Sequence, residues 1–288
     1  MELSVIIVSF NVREYLKKCL ISVFRAAESV DCEIFVVDNN STDGSGDMVK
    51  NEFPEVKLIL NKENSGFSTA NNQAVKKATG LYLLFLNPDT IVETYTFSKC
   101  IGFMKAHSDA GAIGVKMENG EGRFLPESKR AFPEPLTAFF KTSGLSAVFP
   151  ESQFFNRYYL TNINIDETAP ADAISGAFMF TSMEALRKAG LFDEDFFMYG
   201  EDIDLSYRLS RMGYINYYFP DVCITHFKGM STPRNKYTDI IHFYNAMKIY
   251  AGKRNREKFN PLYLIIIPAI WIREGIALAV RFIRITFL

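Results

Sequence analysis

Short apolar runs alternate with segments of helical spacing in the first half of the chain. The runs, rich in β-branched residues, are SVIIVSF (4–10), EIFVVD (33–38), VKLIL (56–60), YLLFL (82–86) and GAIGV (111–115). Between them, apolar residues recur at helical spacing, first as Leu16, Leu20, Val23 and Phe24 and later as Ala70, Ala74, Val75 and Ala78. Apolar strands separated by helices are typical of a parallel sheet covered on both faces. The pattern predicts an α/β, doubly wound, Rossmann-like fold with a mostly parallel sheet.

The regular pattern is interrupted between residues 117 and 170. ENGEGR is a polar turn, prolines stand at 126, 133, 135 and 150, and the aromatic residues follow no period. We expect loops and short helices there that shape a substrate pocket. Regularity returns at AISGAFMFTS (173–182), which predicts a strand followed by a helix from Met183 to Ala189. An amphipathic helix then opens at Glu201, and the alternating run VCITHF (222–227) predicts another strand.

The C-terminal stretch 261–288 reads PLYLIIIPAIWIREGIALAVRFIRITFL. Pro268, Arg273 and Glu274 interrupt it, which disfavours a helix that spans a bilayer, since such a helix needs about 20 apolar residues. Arg273, Arg281 and Arg284 fall on one helical face. We expect a helix in the membrane interface with its basic stripe toward anionic head groups. The alternative is a helix docked on the domain or on a partner chain, as in a homodimer.

Composition excludes several classes of function. The net charge is −1 over 288 residues, so no global bias favours nucleic acid, and any phosphate-binding site has to be local. The four cysteines have no C-x-x-C spacing and lie in apolar surroundings, which indicates reduced thiols of a cytosolic protein. The N-terminus, MELSVIIVSF, lacks a basic segment and a cleavage site, so it predicts a first strand rather than a signal peptide.

Polar residues follow two predicted strands at their carboxyl ends, where open parallel sheets bind ligands. Strand two ends at Asp38 and continues into NNSTDGS, in which Ser41 or Thr42 is expected to cap the next helix. The fourth strand stops at NPD (87–89), a stiff turn that would hold Asp89 toward a divalent cation and a diphosphate. Both segments also have the composition of ordinary solvated turns.

Six acids are crowded into one short segment: Asp193, Glu194, Asp195, Glu201, Asp202 and Asp204. Aromatic residues interrupt them, and carboxylates crowded in such surroundings raise one another's pKa, a trait of catalytic groups. Glu201 and Asp202 also open a helix whose dipole favours acids, and this structural reason is enough to explain Asp204. A single histidine such as His226 serves as a structural residue or as a ligand.

Six segments occur in a characteristic order: SVIIVSFN, VVDNNSTDGS, NSGFSTANNQAVKKATG, LFLNPDT, ISGAFMFT and FFMYGEDIDLSYRLSRMGY. Together they resemble the bacterial family 2 glycosyltransferases of the GT-A fold, particularly the rhamnosyltransferase-like branch, over roughly residues 3 to 230. The resemblance implies a GT-A catalytic domain at 1–245, with a nucleotide-binding half (1–115) and an acceptor and catalytic half (116–245). A helical, membrane-associated tail (246–288) would follow.

The resemblance also implies roles for single residues. The donor nucleotide would be contacted by Asp38, Asn40, Asn64, Gly66, Asn71 and Asn87. The family's Asp-x-Asp metal motif falls on 87–89, where Asn87 replaces the first acid, so that Asp89 and His226 are the implied ligands of Mn²⁺ or Mg²⁺. The family's Glu-Asp motif falls on Glu201 and Asp202, with Asp202 as the catalytic base.

The implied activity is an inverting transfer from a nucleoside-diphosphate sugar to a hydroxyl of a lipid-linked glycan, in cell-surface polysaccharide synthesis on the cytoplasmic face of the inner membrane. dTDP-rhamnose is the candidate donor, and UDP-hexoses and UDP-galactofuranose are competitors. A nucleotidylyltransferase would need a Gly-rich basic loop after the first strand, where SFNV (9–12) stands. A non-catalytic nucleotide-sugar or glycan-binding module is the other alternative. The intact pair of Glu201 and Asp202 argues against it, and the missing first acid at Asn87 argues slightly for it.

Overall fold

The computed structural model describes residues 1–133, 157–229, 237–257 and 259–287. Within these ranges one mixed sheet forms from nine strands. They are β1 (Leu3–Ser9), β2 (Cys32–Asp38), β3 (Lys57–Leu60), β4 (Tyr82–Leu86), β5 (Thr90–Val92), β6 (Ala110–Glu118), β7 (Ala169–Pro170), β8 (Phe178–Ser182) and β9 (Ile215–His226). Their order is β3-β2-β1-β4-β8-β6-β9-β5, with β7 paired to β9.

The first half of the sheet is parallel, as predicted. β1 pairs in parallel with β2 and β4, and β2 pairs in parallel with β3. The second half is mixed, because β8 runs antiparallel to both β4 and β6 while β6 and β9 are parallel. The predicted strands are all present, and the α/β fold class is confirmed. The additional strands β5 and β7 have three and two residues, too few to show a period.

The helices of the described ranges lie between and after these strands. They are α1 (Arg13–Ala27), α2 (Ser45–Glu52), α3 (Gly66–Val75), α4 (Thr96–Ala106), α5 (Met183–Ala189), α6 (Glu201–Arg211), α7 (Thr238–Glu257) and α8 (Tyr263–Phe287). α5 has its predicted bounds, and α6 begins at the predicted residue. Apolar side chains of α1 and α4, among them Leu16, Leu20 and Phe97, cover one face of the sheet. Ala74 of α3 and Leu186 of α5 belong to the core on the other face.

The predicted cap of the second helix was wrong. α2 begins at Ser45 after Gly44, and no side chain caps it. Ser41 Oγ instead accepts a hydrogen bond from the backbone N–H of Asn11 at 2.9 Å, and Thr42 N–H donates to Asn11 Oδ1 at 2.7 Å. The polar loop after β2 is therefore tied to the turn after β1, a partner that lies 30 residues away and shows no local signal.

The segment 117–170 is irregular where it is described, as predicted. β6 ends at Glu118, and short 3-10 turns follow at Pro126–Ser128 and Arg157–Tyr159. Buried Lys129 fixes this region, because its Nζ donates to the backbone carbonyls of Leu160 and Ile163. Residues 134–156, which make up much of the segment expected to shape a substrate pocket, lie outside the described residues.

A buried carboxylate joins α7 to the body of the domain. Asp204 of α6 is fully buried, and Lys253 Nζ lies 2.6 Å from its Oδ1. Arg254 Nη2 lies 3.4 Å from the same oxygen, and Arg208 Nε donates to Oδ2 at 2.8 Å. Asp204 therefore has a structural role, as its helix position suggested. Arg208 also donates to the carbonyls after α5 at 189–191.

Two ion pairs hold α8 along α7. Lys248 Nζ lies 2.9 Å from Glu274 Oε2, and Arg281 Nη2 lies 3.1 Å from Asp239 Oδ2. Glu274 is buried in this contact, which explains how an acid fits into an apolar helix. The domain boundary expected at 245/246 falls within α7 and stays a prediction.

Candidate active site

A cavity of about 810 Å³ opens at the carboxyl ends of the parallel strands. Its walls come from the turns after β1, β2, β4 and β9, from the start of α6, and from α7 and α8. Asn64, Gly66, Asn87, Glu201, Asp202 and His226, all named from the sequence, lie in these walls. The fold therefore brings together residues from both halves of the chain at the edge where such sheets bind ligands.

Asp38 is the last residue of β2, next to Asn39 of the cavity wall, and is not itself among the wall residues that the structure describes. Asp38 is buried, and its Oδ1 accepts a hydrogen bond from the backbone N–H of Ser41 at 2.8 Å. Its Oδ2 is buried and has no hydrogen-bond partner among the described residues. An orphaned buried carboxylate oxygen is costly, and a ligand that donates a hydrogen bond would remove the cost.

Of the two asparagines after Asp38, Asn39 and not the expected Asn40 lies in the cavity wall. Asn40 is exposed, has a left-handed backbone with φ of 65°, and lies outside the cavity walls that the described residues form. Asn39 lies in the wall instead, where its Nδ2 donates to Gly66 O at 3.1 Å and its Oδ1 accepts from Asn61 Nδ2 at 2.8 Å. Sequence reasoning missed Asn39, although it stands beside Asn40 in the same loop.

The loop before α3 contacts the acidic segment through its backbone. Asn64 Oδ1 accepts a hydrogen bond from Gly66 N–H at 3.0 Å, and Phe67 N–H donates to Phe197 O at 2.7 Å. A Cβ on Gly66, whose φ is +81°, would stand 2.5 Å from that carbonyl oxygen. Asn71 is outside the wall that the described residues form, and its Nδ2 donates to Phe67 O within α3 at 2.9 Å. Its expected nucleotide contact stays a prediction.

The turn after β4 and the end of β9 are adjacent because β5 pairs with β9. Thr90 is the register partner of His226, and Phe227 N–H donates to Asp89 O at 2.8 Å. This pairing places Asp89 Oδ1 3.4 Å from His226 Nε2. Asn87 lines the cavity, and its own carbonyl accepts from Thr90 Oγ1 at 2.7 Å.

The Asp89 and His226 pair fits a divalent cation. Two ligands of one ion with bonds near 2.2 Å lie roughly 3 Å apart, close to the observed separation of the two donor atoms. The described residues contain no cluster of three His, Cys, Asp or Glu side chains able to hold a metal. An ion held by two side chains keeps coordination positions for phosphates and water, as Mg²⁺ usually does.

Asp202 is held by a partner that the sequence did not indicate. Arg130 Nη2 donates to Asp202 Oδ2 at 2.6 Å, and Gly176 N–H donates to the same oxygen at 3.0 Å. Burial lowers the pKa of Arg130, but the charge of Asp202 outweighs this and raises it overall. Arg130 also donates to Ile174 O at 3.0 Å. No motif or spacing marks Arg130, because the contact is made across 72 residues.

Glu201 differs from its neighbour although both lie in the cavity wall. It is only 6% exposed, and its Oε2 has no hydrogen-bond partner among the described residues. Burial, and then the charge of Asp202, raise the pKa of Glu201 to about 8. Burial and the neighbouring carboxylate thus favour the neutral form of Glu201, and different surroundings are how adjacent acids acquire different chemical roles.

The mixed α/β sheet has a cavity at the carboxyl ends of its parallel strands, and Glu127, Glu201, Asp202 and Asp239 bring carboxyl groups to its walls. This architecture is typical of nucleotide-binding transferases of the GT-A class. Within this class the chain belongs to the Glycosyl transferase family 2, whose model matches residues 4–188. The protein is therefore a glycosyltransferase. The match ends before α6, so the roles of Glu201, Asp202 and His226 rest on geometry and resemblance.

Relatives and solved structures agree with this assignment. N-acetylglucosaminyl-diphospho-decaprenol L-rhamnosyltransferase of Mycobacterium tuberculosis is 25% identical over 268 residues, covering 88% of this chain and 85% of that protein. Low-salt glycan biosynthesis hexosyltransferase Agl10 of Haloferax volcanii is 25% identical over 265 residues, covering 88% and 74%. TarS of S. aureus superimposes with a TM-score of 0.61 at 18% identity, covering 96% of this chain and 72% of that chain.

A second solved structure shows the same fold with ligands bound. The mannosyltransferase PcManGT from Pyrobaculum calidifontis, in complex with GDP-Man and Mn²⁺, has a TM-score of 0.60 at 20% identity. It covers 97% of this chain and 72% of that chain. At this identity the likeness establishes the fold alone.

Proposed function

We propose that the protein transfers a sugar, with inversion, from a nucleoside diphosphate to a hydroxyl of a lipid-linked glycan at the cytoplasmic face of the membrane. The observation that carries this is a shared wall: Ala277 of the apolar helix α8 lines the same cavity as Asp202 and His226. An acceptor anchored in a membrane would reach the carboxylates past α8. The name of the mycobacterial relative supports a lipid-linked acceptor and rhamnose, so dTDP-rhamnose is the first donor to test.

The donor would occupy the side of the cavity formed by the first half of the chain. Asn39, Asn64 and Gly66 lie in this wall. Asp38, whose buried Oδ2 has no hydrogen-bond partner among the described residues, directly precedes Asn39. Asp89 and His226 would hold Mn²⁺ or Mg²⁺ beside the diphosphate. When bound, the cation would offset the negative charge that builds up on the departing diphosphate. The imidazole of His226 favours Mn²⁺.

The acceptor hydroxyl would be activated by Asp202. Inversion requires attack from the face opposite the leaving group, and a carboxylate must take the hydroxyl proton. Arg130 and Gly176 N–H both donate to Oδ2, so they fix the orientation of the carboxylate. Oδ1, which accepts from Ile203 N–H at 2.8 Å, retains a lone pair for the acceptor proton.

Membrane contact would be made by the outer side of α8. Its exposed apolar residues are Leu264, Ile265, Trp271, Ile272, Ile276, Val280, Phe282, Ile283 and Ile285. The segment Tyr263–Ile283 is long and apolar enough to cross a bilayer. The ion pairs of Glu274 and Arg281 with α7 instead favour a helix that lies in the interface against the domain. Arg273 is exposed beside the apolar side and would meet anionic head groups; the side chain of Arg284 lies outside the described residues.

The direct test is transfer by the full chain from radiolabelled dTDP-rhamnose to N-acetylglucosaminyl-diphospho-decaprenol in vesicles. We expect labelled lipid with the wild type and none with Asp202→Asn. Label from a UDP-hexose or UDP-galactofuranose, but none from dTDP-rhamnose, would change the donor and keep the mechanism. Label transferred equally well by Asp202→Asn would contradict the assignment of the base.

A further inference from the structure

Each carboxylate in the cavity wall has a cation beside it, with one exception. Asp202 pairs with Arg130 at 2.6 Å, Glu127 with Lys228 at 2.7 Å, and Asp239 with Arg281 at 3.1 Å. Glu201 forms no ion pair among the described residues, although it is the direct neighbour of Asp202. Arg130 is therefore paired with Asp202, through Nη2, and not with Glu201.

The surroundings of Glu201 disfavour its charged form. It lies at the start of α6, whose dipole favours an anion, but this effect is small compared with the cost of burying an unpaired charge. The anion of Asp202 adds repulsion from the same helix. Other segments bring further charged or titratable groups to the described wall. They are Arg130 and Glu127 from the segment after β6, Tyr158 and Tyr159 from the second 3-10 turn, Tyr199 from the loop before α6, His226 and Lys228 from the end of β9, and Asp239 and Tyr244 from α7.

We propose that Glu201 acts as a neutral carboxylic acid, which donates a hydrogen bond from Oε2 to a sugar oxygen bound in the cavity while Asp202 accepts the acceptor proton. This rests on the proposed function, because it assigns the second half of the carboxyl pair to the same reaction. The orphaned Oε2 is buried in the wall, so a bound hydroxyl or ring oxygen would satisfy it. No proton leaves Glu201 during the reaction. The raised pKa of about 8 agrees with a proton held at neutral pH.

The protonation state is testable without any substrate. Infrared difference spectra of the full chain between pH 7 and pH 9.5 are expected to show the carbonyl band of one carboxylic acid at pH 7 that is absent at pH 9.5. The band is expected to be missing in Glu201→Gln. In Asp202→Asn, where Arg130 is released and the repulsion removed, it is expected to titrate at a lower pH. A wild-type spectrum without this band at pH 7, or one unchanged by Glu201→Gln, would overturn the proposal.

The catalytic role requires a comparison of two substitutions in the transfer assay. Glutamine keeps a donor at this position and alanine does not. We expect Glu201→Ala to lower kcat/KM roughly tenfold or more, the effect of one lost hydrogen bond, and Glu201→Gln to lower it clearly less. The wild-type rate is expected to fall above pH 8, and the fall should be absent in Glu201→Gln. A glutamine variant as inactive as Asp202→Asn would make Glu201 the proton acceptor and refute the proposal.

Failure of the proposal and failure of the proposed function are distinguishable. If the wild type transfers no sugar while the infrared band titrates as expected, the chosen substrates are wrong and the neutral acid is supported. If the wild type transfers sugar and the band is absent, the transferase function holds and the role of Glu201 as a hydrogen-bond donor is refuted.

Discussion

Arg130 Nη2 lies 2.6 Å from Asp202 Oδ2, and both side chains are almost completely buried. The arginine belongs to the segment after β6, and the aspartate belongs to the first turn of α6. The pair therefore fixes the candidate base through a residue that lies 72 positions away in the chain.

Removing the arginine is expected to damage both stability and activity. Arg130→Met leaves a buried carboxylate with only backbone donors, and breaking a buried pair in this way costs about 3–5 kcal/mol. We expect a lower unfolding midpoint in urea and a loss of sugar transfer, with partial recovery in Arg130→Lys. Lys188→Met, which breaks the exposed pair with Glu184, is the control and should match the wild type. Normal transfer by Arg130→Met would show that the base is positioned in some other way.

Gly66→Ala tests the contact between the donor loop and the acidic segment. The new Cβ would meet Phe197 O at 2.5 Å at a φ of +81°, so we expect a destabilisation of about 1–3 kcal/mol and weaker nucleotide binding in calorimetry. Gly102→Ala in α4 is the matched control, because nothing lies within 4 Å of its added Cβ. Alanine is the better helix former, so this control should equal or exceed the wild type in stability. Unchanged nucleotide affinity in Gly66→Ala would separate this loop from the donor site.

The pH dependence of stability gives a second view of Glu201. Its pKa in the folded protein, about 8 against a usual value of 4.5, means that only the unfolded chain releases this proton between those two values. Its contribution to stability is therefore complete below pH 4.5 and is lost as the pH rises through 8. In urea unfolding at pH 5, 7 and 9, the free energy of unfolding of Glu201→Gln should increase relative to that of the wild type as the pH rises. A stability difference that is constant across this range would mean that Glu201 is ionised in the native state.

Membrane binding is expected to depend on the outer side of α8. Ile272→Ser combined with Ile276→Ser removes exposed apolar groups without touching the ion pairs to α7, so cosedimentation with anionic vesicles should fall several-fold. The control combines Ile21→Ser and Leu81→Ser, two exposed apolar positions on the catalytic domain, and should bind as the wild type does. If the α8 variant binds vesicles as well as the control variant does, α8 is not the anchor. A concentration-dependent dimer that the α8 variant abolishes would favour the partner-chain alternative.

The sequence was sufficient where physical signals are local. Apolar runs predicted β1, β2 and β4 because strands buried on both faces are almost continuously apolar. The change of period at Met183 gave the correct bounds of α5. The edge strands β5 and β7 were missed because they are short. β5 matters for function, since its pairing with β9 places Asp89 beside His226.

The site was only partly predictable, because side chains in a cavity meet through the fold rather than through spacing. Asn39 was overlooked in favour of Asn40, which turns outward with a positive φ. Asn71 was carried over from resemblance and proved to bond within its own helix. Arg130 carried no signal of its own. Nor does spacing reveal that Asp202 and Glu201, one residue apart, have such different electrostatic surroundings.

Nucleotide binding tests the central claim most directly. UDP, dTDP and GDP are titrated into the full chain by calorimetry with and without Mn²⁺, using the wild type, Asp89→Ala and, as a control, Asp221→Ala at an exposed position. The account predicts that one nucleotide binds, that Mn²⁺ strengthens its binding, and that Asp89→Ala alone loses this gain. Absence of binding by all three nucleotides, or binding that neither Mn²⁺ nor Asp89→Ala alters, would contradict a metal-assisted donor site at Asp89 and His226.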